Sequence, residues 1–137
     1  WMQALQERLR NVRVCCGDFE RVLTTTPTVK IGLTGVFLDP PYDVSIGRYA
    51  GCYNADAPDV SRRAAKWAIK HGDDPRFRIA LCGYEGEHNM PDTWECFAWE
   101  AHNGLSAFRK KGKNNNRFKE RIWFSPHCLK GEGFTDL

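Results

Sequence analysis

Residues 36–43, with the sequence VFLDPPYD, constrain the fold of this chain more than any other stretch. Three apolar residues predict a short buried strand, and an acid, Asp39, stands where that strand should end. Pro40 and Pro41 then stop the strand, because proline cannot donate to a sheet ladder and its φ is fixed. Ligands of open α/β sheets bind outside the carboxyl ends of the strands, so we expect Asp39 and the following Tyr42 to lie at a binding site.

The groups of this motif suit an exocyclic amine such as that of adenine, which is a poor nucleophile because its lone pair is delocalised into the ring. Asp39 and the carbonyl of Pro40 could both accept hydrogen bonds from the amine, which favours an sp³ nitrogen whose lone pair faces an electrophile. Tyr42 could stack on a base that has been flipped from the duplex, although a loop aromatic buried for packing is the simpler alternative. The rigid step from Pro40 to Pro41 keeps the acceptors preorganised.

Hydrophobic periodicity and turn residues predict an α/β chain. We expect helices over residues 2–10, 18–23 and 59–71, and strands over residues 12–16, 34–38, 77–82, 94–99 and 119–124. Strand–helix–strand order favours a parallel sheet, and the last two strands favour an antiparallel hairpin at its edge. Length and composition fit one domain, so we predict that residues 1–137 form a single domain.

Residues 36–43 resemble the catalytic motif of amino-group DNA methyltransferases that use S-adenosylmethionine. Three further segments follow in the order of that family. Residues 12–19 are similar to the segment whose acid and aromatic contact the cofactor adenosine, residues 77–84 to the next strand, and residues 116–126 to the closing strand of Dam-type adenine methylases from phages and bacteria. The resemblance covers residues 10–128 and implies a Rossmann-like methyltransferase fold, a parallel sheet with an antiparallel edge hairpin.

The same resemblance implies a site-specific DNA adenine N6-methyltransferase in the cytoplasm of a bacterial or phage-infected cell. Its partner is double-stranded DNA, and its cofactor is S-adenosylmethionine. A methyl group passes directly to the exocyclic amine of a flipped adenine, with no covalent enzyme intermediate and no metal. The implied catalytic residues are Asp39, Pro40, Pro41 and Tyr42, and the implied cofactor-binding residues are Asp18, Phe19 and Asp39. For Asp18 a helix N-cap is an equally simple interpretation, and for Phe19 a core position.

One element of the family is missing from these 137 residues: the Gly-rich loop after the first strand, which cradles the methionine part of the cofactor. The matching segments correspond to the second half of a Dam-type enzyme. We therefore expect a partial catalytic domain that lacks the cofactor loop and the target-recognition insert. Such a chain should bind S-adenosylmethionine very weakly, should not methylate DNA detectably by itself, and should self-associate through an exposed apolar sheet edge.

A basic cluster lies between residues 109 and 121, although the net charge of the chain is only +3. Seven lysines and arginines there accompany a single acid, Glu120, and Gly112 with three asparagines predicts a flexible loop. We call residues 109–117 the basic loop. It could neutralise DNA phosphates, and a solvated hairpin tip is the alternative. The candidate DNA-binding residues are Lys110, Lys111, Lys113 and Arg117.

Other patterns limit the function classes. The six cysteines have no CxxC spacing, so neither a zinc site nor a disulfide framework is predicted, and Cys15, Cys82 and Cys96 are expected to be buried free thiols. No apolar run reaches the length of a membrane span. For His88 and Asn89, a surface loop is a simpler interpretation than contact with a base.

Two other functions stay open at this stage. One is methylation of a different amino group, that of cytosine in DNA or guanine in ribosomal RNA. The other is a fragment without catalysis that binds DNA through the basic loop.

Overall fold

The structure is a computed structural model that describes residues 1–43, 59–98 and 118–129. It divides into two units, residues 1–32 and residues 33–137. Within the described ranges, no helix is both long and apolar enough to cross a membrane.

The first unit consists of a helix, a short 3-10 turn and connecting segments. Helix α1 spans Met2–Leu9, as its apolar spacing predicts, and buries none of its residues. The 3-10 helix spans Phe19–Arg21, and the Asp18 carboxylate caps it by accepting a hydrogen bond from the amide of Glu20 at 3.0 Å. The predicted N-cap is confirmed, but the expected helix to residue 23 is one short turn.

The predicted strand over residues 12–16 is wrong. These residues lie in no sheet ladder, and Val14 is 94% exposed. Extended backbone is stable as a strand only when its amides and carbonyls pair with a neighbour and one face is covered. Cys15, which this strand was expected to bury, is accordingly exposed.

The second unit is a four-stranded mixed sheet with one helix between its first two strands. Its elements are β1 (Thr34–Leu38), α2 (Val60–His71), β2 (Phe77–Tyr84), β3 (Glu95–Ala98) and β4 (Glu120–Phe124). The strand order is β1-β2-β4-β3. β1 and β2 are parallel, whereas β4 is antiparallel to both of its neighbours. The predicted α/β class, the parallel pair and the antiparallel edge hairpin are therefore confirmed.

The core lies on the sheet face that carries α2. Side chains alternate along a strand, so every second residue of β1 and β2 points to this face. The buried strand residues there include Val36, Leu38, Ile79 and Leu81, and the helix contributes Ala64, Ala65 and Ala68. Small alanine side chains let the helix pack closely on the sheet. Gly72, the residue after α2, lies against the ring of Trp94. A Cβ at position 72 would lie 2.5 Å from that ring, so glycine is needed at this position.

The edge strand β3 is less covered than the sequence suggests. Cys96 is exposed, contrary to the expected buried thiol, because β3 is a four-residue edge strand with no second layer described over it. Cys82 on the central strand β2 is buried, as predicted.

Candidate active site

The motif at residues 39–42 lies at the carboxyl end of β1. Asp39 directly follows Leu38, the last residue of the strand, and Leu38 pairs with Leu81 of the parallel strand β2. Pro40 is buried and ends the ladder, as its missing amide requires. Because β1 and β2 are parallel, their carboxyl ends meet at one edge of the sheet, the usual place for a ligand in an α/β protein. The structure confirms this position for the motif.

A cavity of about 360 Å³ opens at this edge, within the size range of small-molecule sites of roughly 300–1,000 Å³. It lies on the sheet face opposite α2, because Phe37 and Cys82 alternate with the core residues of their strands. Its walls combine aromatic and aliphatic groups with two carboxyl groups. The lining residues are Phe37, Asp39, Tyr42, Cys82, Glu120, Arg121 and Ile122.

Tyr42 is fixed at the cavity by two contacts. Its hydroxyl is hydrogen-bonded to the Asp39 carboxylate, and its ring meets the ring of Tyr84 edge-on at a centroid distance of 4.7 Å. Burial, with the negative charge of Asp39, raises the pKa of Tyr42 well above its ordinary value of 10.0. Tyr42 therefore stays a neutral donor and an aromatic wall. A carboxylate has about four acceptor positions, so Asp39 can still accept bonds from a ligand.

Two further titratable groups face the cavity. Burial and the charges of Asp39 and Glu120 raise the pKa of Cys82 to about 12. The Cys82 sulfur is thus a thiol at neutral pH, and a thiol is a poor nucleophile. Burial and the charge of Asp39 also raise the pKa of Glu120 above its ordinary value. The cavity therefore favours chemistry that needs hydrogen-bond acceptors and donors rather than a cysteine nucleophile.

Glu87 fastens the motif loop to the sheet, a role that sequence reasoning missed. Its Oε1 accepts hydrogen bonds from the amide of Asp43 at 2.9 Å and from the hydroxyl of Ser61, which is 1% exposed. Its Oε2 accepts from the amide of Tyr84 at 2.9 Å. One carboxylate thus joins the loop after β1, the first turn of α2 and the end of β2. The one signal in the sequence was an acid directly after a glycine, Gly86. In the structure Gly86 takes a φ of 78° in a turn.

His88 packs on the other face of the sheet from the cavity. Its ring lies edge-on to Trp123 at a centroid distance of 5.3 Å, and Trp123 pairs with the core residue Leu81. A Cβ at Gly83 would lie 2.8 Å from Nε2 of His88, so only glycine admits the ring. Burial lowers the pKa of His88 below 6.5. His88 is therefore a packing residue rather than surface loop, whereas Asn89 is exposed.

The other predicted site residues lie elsewhere. Asp18 and Phe19 belong to the first unit, where Asp18 borders a cavity of about 240 Å³ together with Cys15, Cys16, Gly17, Arg21 and Val22. Phe19 is half-buried within that unit. The basic loop, with Lys110, Lys111, Lys113 and Arg117, lies outside the described residues. In the described ranges, no group of three or more histidine, cysteine, aspartate or glutamate side chains could ligate a metal ion.

Comparisons with protein-family models, with curated proteins and with solved structures each gave no match.

Proposed function

We propose that this chain carries the catalytic strand and base pocket of an S-adenosylmethionine-dependent DNA adenine N6-methyltransferase. One observation carries the proposal: the motif Asp39-Pro40-Pro41-Tyr42 stands at the carboxyl end of a parallel strand, and its Asp39 and Tyr42 line a cavity of about 360 Å³. The finer fold assignment, a Rossmann-like methyltransferase sheet, is part of the proposal. The parallel pair β1 and β2 with α2 between them supports it, because such units build doubly wound sheets.

In this mechanism the chain's own groups hold and activate the amine. The Asp39 carboxylate and the Pro40 carbonyl accept its two N–H bonds, which draws the nitrogen toward sp³ geometry and frees its lone pair. Tyr42 offers a ring face to the flipped base while Asp39 fixes its hydroxyl. These acceptors are preorganised by the two prolines and stabilise the positive charge that develops on nitrogen.

S-adenosylmethionine would supply an electrophilic methyl group on a sulfonium centre. The nitrogen lone pair would form the new N–C bond as the C–S bond breaks, and the amine would then lose one proton to solvent. The Asp39 carboxylate in the cavity wall fits a cationic sulfonium, since the guanidinium of Arg121 is paired with Glu85 at 3.0 Å. Asp39 would contact the cofactor; Asp18 and Phe19 belong to the first unit, and the cofactor contacts that the resemblance implies for them stay a prediction.

A methyl-transfer assay with product identification tests this function. Because these 137 residues lack the Gly-rich loop, the chain is fused behind the Gly-rich N-terminal segment of a Dam-type methylase. The fusion is incubated with S-adenosylmethionine carrying a labelled methyl group and with duplex DNA. We expect label in N6-methyladenine, and we expect Cys82→Ser to leave the product unchanged. A fusion that is folded and binds the cofactor, yet methylates no base, would refute the proposal.

The same assay separates the related chemistry. Label in N4-methylcytosine, or transfer to guanine in ribosomal RNA but not to DNA, would identify another amino group as the target. The proposed DNA substrate also implies the cytoplasm of a bacterial or phage-infected cell as the site of action.

A further inference from the structure

Two carboxyl groups from distant parts of the chain face one cavity. Asp39 enters it from the end of β1, and Glu120 enters it from the first residue of β4, where it pairs with Tyr84 of β2. Glu120 is half-buried there. The mechanism above uses Asp39 and leaves Glu120 without a role.

The groups around Glu120 favour its neutral form. Asp39 faces it from β1, and Cys82 faces it from β2; neither is cationic. Tyr42, from the loop after β1, is also within electrostatic reach of Glu120. On its own strand Arg121 is directed to Glu85, and its Nη1 donates to backbone carbonyls, that of Glu120 among them. Among the described residues no cation pairs with the Glu120 side chain, and burial beside Asp39 raises its pKa.

Resting on the proposed function, we propose that Glu120 donates a hydrogen bond to the ring nitrogen next to the target amine, while Asp39 accepts from the amine itself. Enzymes that flip a base read it through its Watson–Crick edge. In adenine and cytosine the amine is adjacent to an unprotonated ring nitrogen, which is an acceptor. On the Watson–Crick edge of guanine, the amine is adjacent to a ring N–H, which is a donor.

The pair of carboxyl groups therefore selects its substrate class. A proton held by Glu120 places one donor beside the Asp39 acceptor, and this pair is the complement of adenine or cytosine. Against guanine, the Glu120 proton would meet a ring N–H, and two donors facing each other in a cavity leave both unsatisfied. The geometry thus argues against the guanine amine as a target and names Glu120 as a specificity-determining residue.

Nucleoside binding to the 137-residue chain, followed by NMR, tests this without a methyl-transfer step. The probes are adenosine, 1-deazaadenosine, which lacks the ring acceptor, and guanosine. We expect adenosine to bind about tenfold more tightly than either of the others, the effect of one hydrogen bond. Raising the pH through the raised pKa of Glu120 should weaken adenosine binding, as Glu120 loses its proton, and should not weaken 1-deazaadenosine binding.

Variants separate hydrogen bonding from structure. Glu120→Gln keeps an N–H donor at every pH, so it should retain the preference for adenosine and lose the pH dependence. Glu120→Ala should lose the preference. Glu95→Gln, at an exposed position on β3, is the matched control and should behave like the wild type.

Three other results would contradict the proposal, and each shows whether the role of Glu120 or the base pocket itself is wrong. If adenosine binds but 1-deazaadenosine binds equally well, the role of Glu120 is wrong while the proposed base pocket stands. If guanosine is preferred, Glu120 acts as an acceptor and the selectivity is reversed. If no nucleoside binds to a folded chain, both this inference and the proposed base pocket are refuted.

Discussion

Removing the Glu87 carboxylate should loosen the motif loop and lower the stability of the second unit. Glu87 accepts three hydrogen bonds, from the amides of Asp43 and Tyr84 and from the hydroxyl of Ser61. Bonds to a charged group contribute about 1.5–3 kcal/mol each, but bonds that share one side chain do not add fully. We therefore expect Glu87→Ala to reduce the free energy of unfolding by about 3 kcal/mol. Glu87→Gln should cost about 1 kcal/mol, since its amide oxygen still accepts the Asp43 and Ser61 bonds.

Urea denaturation of each variant measures these differences. Glu85→Ala is the matched control, because Glu85 lies on the same turn and its side chain is 65% exposed. Arg121, its ion-pair partner, keeps hydrogen bonds to two backbone carbonyls, so the variant should change the free energy of unfolding by less than about 1 kcal/mol. Hydrogen exchange at the amides of Asp43 and Tyr84 should accelerate in Glu87→Ala. A Glu87→Ala chain within about 0.5 kcal/mol of the wild type, with unchanged exchange at both amides, would show that the three bonds do not hold the loop.

Four other properties of the chain can be measured directly. Burial lowers the pKa of His88 below the unfolded value of 6.5, so the unfolded state binds more protons than the folded state between the two pKa values. The free energy of unfolding should therefore fall as the pH drops below 6.5. His88→Gln should flatten this pH dependence, and an unaltered slope would contradict the buried position of His88. Neutralising the three lysines of the basic loop should flatten the plot of log DNA affinity against log salt concentration. The slope should fall by about 0.9 for each phosphate that these lysines neutralise in the wild type, and an unchanged slope would indicate a solvated tip. If the chain is the proposed methyltransferase, the Gly-rich loop that its sequence does not contain would supply several hydrogen bonds of about 1.5–3 kcal/mol each to S-adenosylmethionine. Calorimetry should therefore find millimolar affinity or weaker for the 137 residues, and micromolar binding would mean that the cofactor pocket is complete. Light scattering should detect concentration-dependent self-association, since β1 is an edge of the described sheet, and a monomer at all concentrations would contradict this.

Local signals predicted the parts of the fold that depend on nearby residues. The proline pair ends β1 at Leu38, and Gly72 follows the last residue of α2, so the bounds of these elements could be set from the sequence. Asp18 was predicted as a cap because an N-cap bonds an amide two residues away. The strand expected at residues 12–16 failed because an apolar run does not say whether another strand will pair with it.

The composition of the site could be predicted only in part, because it depends on contacts between distant residues. The motif itself identified Asp39 and Tyr42. Glu87 bonds to Asp43 across a separation of 44 residues, and no periodicity signals such a contact. Glu120 reaches the cavity because β4 inserts between β2 and β3, and the sequence predicted the hairpin without predicting which of its strands would pair with β2.

The most direct test of the central claim is the single-turnover rate of methyl transfer by the fusion protein and its Asp39→Ala variant. In the proposed mechanism Asp39 acts on the amine as charge develops, whereas DNA affinity would come largely from phosphate contacts. We predict that Asp39→Ala lowers the rate about a hundredfold or more while the Kd for DNA changes little. An unchanged single-turnover rate in a folded, DNA-bound variant would contradict the assignment of Asp39 as the acceptor for the target amine.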